Sequence, residues 1–145
     1  MRKILMLLTM LTMLLFASIA QANESYEISI DANGPAIIKS SIIVLKPGAT
    51  INVVLYASGG TGYQWQTNLD KTKLVKLVSQ NVSPAYASKE FVGGRMKYEF
   101  TMQVQNVITD RENVKFDLVR VWEKDVKPAK SFVLSVMLGN PLENQ

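Results

Sequence analysis

Between Met96 and Val104 apolar and polar residues alternate without a break. Met96, Tyr98, Phe100, Met102 and Val104 are interleaved with Lys97, Glu99, Thr101 and Gln103. A period of two puts one set on each face of an extended strand, and a helix would scatter the apolar set around its axis. The segment is therefore a strand with one buried and one wet face, and that buried face needs a second layer to cover it. Three more segments follow the same rule. Val114, Phe116 and Leu118 alternate with Lys115 and Asp117. Phe132, Leu134, Val136 and Leu138 form another series, with Ser131 and Ser135 facing outward. Ile51, Val53 and Leu55 form the last.

Weaker strand signals fill the gaps. Tyr26–Ile30 alternates and predicts an N-terminal strand. Ser41–Leu45 is apolar after its Ser and reads as a strand buried on both faces or placed at an edge. Leu74–Val78 is ambiguous between strand and helical turn, and its Val content favours strand. Asn81–Glu90 contains Pro84 and polar residues and reads as a long exposed loop. Turns are expected at Asn33-Gly34-Pro35, Lys46-Pro47-Gly48, Gly59-Gly60, Gly93-Gly94 and Lys127-Pro128. Seven to eight short strands without a long amphipathic helix predict an all-β immunoglobulin-like sandwich, with a closed barrel as the rival.

The N-terminus sets the compartment. Arg2 and Lys3 precede an apolar run, Ile4–Ile19, and Ala20-Gln21-Ala22 then offers a small-x-small cleavage site. That is the layout of a secretory signal peptide. Residues 1–22 are thus expected to be removed, leaving one domain over 23–145, exported to the periplasm or secreted and free of the membrane. Without Arg2 and Lys3 the charge balance is 14 Lys+Arg against 12 Asp+Glu, which gives no electrostatic footprint for nucleic acid. The chain contains neither Cys nor His. Thiol nucleophiles, imidazole bases and the usual zinc ligands are therefore absent, and no cofactor or metal is expected. Asp110 and Glu112 could form a carboxylate pair, but their polar setting, Thr109–Asn113, makes solvated charge the ordinary explanation. The chain is not expected to be an enzyme.

Three segments break the strand pattern. Ser58-Gly59-Gly60-Thr61-Gly62-Tyr63 precedes Gln64-Trp65, and its three glycines let backbone approach another surface closely. Phosphate cradling would need a Lys and a following helix, and aromatic strand residues follow instead. Phe91-Val92-Gly93-Gly94 puts two apolar residues beside a turn. Arg120-Val121-Trp122 continues the parity of the preceding strand, and a charged Arg at a core position marks the end of its buried part. Trp and Arg are favoured interface anchors, although a Trp there could equally cap the core.

In order and spacing these segments resemble the chagasin family of cysteine-peptidase inhibitors. The residues that carry the resemblance are Thr61, Gly62, Tyr63 and Trp65 in the first loop, Gly93 and Gly94 in the second, and Arg120 and Trp122 in the third. Ser58, Gly59 and Gly60 stand where the family has Asn, Pro and Thr, Phe91 replaces a Gly, and Val121 replaces a Pro. The resemblance implies an Ig-like domain, acting as a monomer, with three adjacent loops at one end. They would enter the active-site cleft of a papain-like cysteine peptidase, the cell's own or a host's, and inhibit it reversibly without a covalent bond. It further implies that Thr61 and the Gly59-Gly60 backbone reach the catalytic centre, that Trp122 packs on the partner, and that Tyr63 and Trp65 support the loop from the core side. The alternative is a non-inhibitory Ig-like interaction module of the periplasm or extracellular space.

Overall fold

The computed structural model describes residues 25–30, 39–85 and 94–139, with the side chains of 28–30, 39 and 40 left out. The expected signal peptide, the Asn33-Gly34-Pro35 turn and the C-terminal tail lie outside these residues. Eight strands occur among the described residues: β1 Ser25–Ile30, β2 Lys39–Leu45, β3 Thr50–Ser58, β4 Gln64–Thr67, β5 Val75–Pro84, β6 Arg95–Val104, β7 Arg111–Val119 and β8 Lys130–Leu138. They form two four-stranded sheets, ordered β1-β3-β6-β5 and β2-β8-β7-β4. β1 lies parallel to β3 and β2 parallel to β8, while the other pairs are antiparallel. The architecture is the immunoglobulin-like sandwich that the alternation predicts.

The alternating residues meet between the sheets. Tyr98, Phe100, Met102 and Val104 from β6 are buried, and so are Val114, Phe116 and Leu118 from β7 and Phe132, Leu134 and Val136 from β8. Phe100 crosses the gap to Phe116 edge-on, with ring centroids 5.1 Å apart, and Phe116 stacks on Phe132 at 5.8 Å. Such ring pairs add about 0.5–1.5 kcal/mol each beyond the area they bury.

Of the two readings offered for Ser41–Leu45, the edge strand holds: β2 lies at a sheet edge, with Ile42 and Val44 exposed and Leu45 buried. Three expectations need correction. Asn81–Pro84 is not loop but the second half of β5, paired with β6 from Asn81↔Glu99 to Pro84↔Met96. Pro is tolerated at an edge strand, whose outward side needs no N–H donor. The polar composition of β5 belongs to an edge strand that is exposed along most of its length. Ser135 has outward parity yet is buried, since β8 runs between β2 and β7 and its hydroxyl donates to Asn113 Oδ1 at 2.6 Å. Finally, Glu112 is not a solvated charge. One carboxylate oxygen accepts the Lys73 N–H (2.9 Å), and the other accepts those of Leu74 (2.8 Å) and Val75 (3.0 Å). β7 of one sheet is thereby tied to the start of β5 in the other.

Candidate functional site

The strand register places the three loops. β3 ends where Ser58 pairs with Arg95, the first residue of β6. β4 begins where Gln64 pairs with Val119, the last residue of β7. The link Gly59–Tyr63 therefore crosses from one sheet to the other, with the start of β6 on one side and the end of β7 on the other. β5 and β6 close at Pro84↔Met96, extended by a hydrogen bond from Ala85 N–H to Arg95 O of 2.8 Å. β7 and β8 close at Leu118↔Lys130, extended by Ala129 N–H to Leu118 O at 2.9 Å. All three connections leave the sandwich at the same end.

The first loop is folded on itself and bound to both neighbours. Thr61 Oγ1 donates to Ser58 O at 2.9 Å and accepts the Tyr63 N–H at 3.4 Å. Gly59 N–H donates to Gly94 O at 2.7 Å, so the root of the second loop is stitched to the first. A Cβ on Gly59 would run into that same carbonyl. Phe91, Val92 and Gly93, the rest of the predicted second loop, lie outside the described residues.

The third loop grips the first through two side chains. Arg120 Nε donates to Thr61 O at 3.1 Å, and its guanidinium lies over the Tyr63 ring, 4.4 Å from the centroid. Arg120 Nη1 in turn reaches Glu123 Oε1 at 3.2 Å, inside a turn closed by Glu123 N–H to Arg120 O at 3.0 Å. The Trp122 indole covers Gly62, where a Cβ would overlap Cη2 and sit only 2.8 Å from Cζ2. Gly62 has a φ of +76° as well. Two separate constraints, backbone hand and indole contact, thus require glycine there. Although docked on Gly62, Trp122 remains 62% exposed and Val121 58%. Trp122 does not cap the core.

Support comes from beneath. Trp65 is buried, and its Nε1–H donates to Tyr56 O at 3.0 Å, tying β4 to β3 across the sheets. Tyr98 in β6 donates its hydroxyl to Tyr63 O at 3.5 Å, and burial pushes its phenol pKa above the ordinary value. Of the predicted residues, Ser58–Tyr63, Gly94, Arg120, Val121 and Trp122 come together on one end. The pairing of Glu123 with Arg120, and the support from Tyr98 and Tyr56, come from the structure. Arg120 and Glu123 at a spacing of three were the available sign of a charge pair closing a turn, whereas the aromatic supports carried no local sign.

A two-sheet scaffold whose loops are tied together at one end defines a protein of the immunoglobulin-like sandwich class. Residues 44–136 match the chagasin family of peptidase inhibitors, I42, and the chain belongs to that family. No curated protein sequence matches the chain. Among solved structures it is similar to the cysteine protease inhibitor EhICP2 from Entamoeba histolytica, with 19% identity over 79% of this chain and 97% of that one and a TM-score of 0.57. It is also similar to Amebosin, with 18% identity, coverage of 80% and 98%, and a TM-score of 0.52. A third is PbICP-C, solved in complex with falcipain-2, with 14% identity, coverage of 81% and 100%, and a TM-score of 0.51.

Proposed function

We propose that the chain is a reversible, non-covalent inhibitor of papain-like cysteine peptidases. Ser58–Tyr63 enters the cleft, while Arg120–Trp122 and Phe91–Gly94 hold its walls. The observation that carries this reading is the pairing of exposure with order in Trp122: a large indole sits mostly in solvent, yet is seated on Gly62. An anchor held in place before binding loses little side-chain freedom when it binds. A protease–inhibitor contact of standard size buries about 800 Å² per partner, which three short loops can supply.

The chain carries no His or Cys, and its part is to occupy the cleft rather than to perform chemistry. Glu112 is engaged by three backbone N–H groups, so it is unsuited to a carboxylate pair with Asp110. The basic, apolar and small-residue order of residues 1–22 supports export, with the protein acting as a monomer in the periplasm or outside the cell.

Titrating papain with the purified chain tests this function. The expected result is reversible, substrate-competitive inhibition with the chain left uncleaved. Undiminished papain activity at micromolar chain would overturn it.

A further inference from the structure

The loop-bearing end has an uneven charge layout. The first loop and the strand it feeds, Ser58–Thr67, hold no charged residue. The third loop is the opposite. Arg120 and Glu123 satisfy each other, and beyond Trp122 come Lys124, Asp125 and Lys127, all exposed. Arg95 at the start of β6, stacked on Tyr56, and Lys130 at the start of β8 lie at this end as well, each with an interaction of its own. Among the described residues of the loop beyond Glu123, Lys124 and Lys127 stand against the single anion Asp125.

The loop that carries these lysines has a defined shape. Its base is closed by Ala129 N–H to Leu118 O, and its first turn by Glu123 N–H to Arg120 O. Asp125 takes a positive φ of 59°, a left-handed conformation that Asp adopts more readily than most L-residues and that turns the chain between the two lysines. Lys124 and Lys127 lie two and five residues past the indole, both exposed, beside exposed Val126.

We infer that Lys124 and Lys127 form a cationic rim that selects peptidases whose cleft wall, facing the third loop, is acidic. This rests on the inhibitory reading above and adds the chemistry of the partner. Charges at the rim of an interface act chiefly on encounter rate and on discrimination between partners, while the desolvated centre governs dissociation. The rim accordingly sets how fast, and on which peptidase, the neutral wedge is delivered.

The test uses papain in two forms, unmodified and with its surface lysines succinylated, which turns cations into carboxylates. Association rates are measured from about 10 mM to about 1 M salt, over which the screening length falls from about 30 Å to about 3 Å. The chain is expected to associate roughly tenfold faster with the succinylated form at low salt, within the range known for steered encounters. Lys124→Glu/Lys127→Glu should abolish that preference with an unchanged dissociation rate and an unchanged circular dichroism spectrum. Inhibition of both forms at rates that ignore succinylation, salt and the double substitution would overturn the rim and leave the inhibitor. Inhibition of neither form would overturn both.

Discussion

The indole of Trp122 and the Cα of Gly62 occupy complementary space: the ring lies where a Cβ on residue 62 would have to be. This contact joins a loop that leaves β3 to one that leaves β7, which belong to different sheets. Glycine at position 62 is therefore as much part of the third loop's geometry as of the first. By the family resemblance, Gly59 and Val121 stand where Pro would be, and the Trp122–Gly62 contact ties the two loops to each other.

Gly62→Ala tests that dependence. The left-handed backbone alone costs about 1–2 kcal/mol for a residue with a Cβ, and the indole must also leave. Papain inhibition is expected to weaken at least tenfold, with a change in tryptophan fluorescence. A variant with unaltered fluorescence and inhibition would refute the contact.

Trp122→Ala separates anchoring from folding. The side chain is mostly exposed, so the unfolding free energy should change by less than about 1 kcal/mol. Binding should weaken by about 2 kcal/mol, or roughly thirtyfold, as for an interface anchor. Thermal unfolding and inhibition titrations on one sample check both halves.

Arg120→Lys keeps the charge but removes the Nε–H donor and the planar group over Tyr63. Lysine cannot reproduce both contacts. Faster amide exchange in Thr61–Tyr63 and a several-fold loss of affinity are expected, with the melting temperature little changed. Hydrogen exchange and inhibition measurements read these effects.

Trp65→Phe acts on the scaffold. It leaves Tyr56 O without the indole donor, and an unsatisfied buried acceptor costs about 1–3 kcal/mol. The smaller ring also leaves a void. Urea denaturation should show a lower midpoint at an unchanged slope.

Glu112→Gln weakens the tie between β7 and the start of β5, because an amide offers one acceptor oxygen where the carboxylate offers two. Hydrogen bonds to a charged group contribute about 1.5–3 kcal/mol, so a destabilisation of about 2 kcal/mol is expected. Glu112 sits at the start of β7 and the loops lie beyond its end. Papain inhibition by the folded variant should therefore equal that of the parent. A selective loss of inhibition, with urea stability intact, would contradict this division.

Much of the fold can be read along the chain. Strands whose inner residues alternate, β3, β6, β7 and β8, are legible because period two is a local property of the peptide geometry. Edge strands are less so. β5 faces solvent along most of its length, so hydrophobic pattern had little to mark and Asn81–Pro84 read as loop. The settings of Ser135 and Glu112 are not legible in the sequence for a related reason. Their partners, Asn113 for one and residues 73–75 for the other, are distant in sequence or lie across a strand pair.

Local sequence accounts for the strand faces, the three loop segments and the residues from which a family resemblance could be drawn. Local chemistry suffices for that: alternation makes faces, and Gly and Pro make turns. Tertiary structure alone decided what those residues do to one another. Arg120 reaches Thr61 across 59 positions, and Trp122 finds Gly62 only because the register of β4 on β7 brings their ends together. Residues widely separated in sequence meet only once two packed sheets fix the loop ends in space, and no pattern within one segment encodes that meeting.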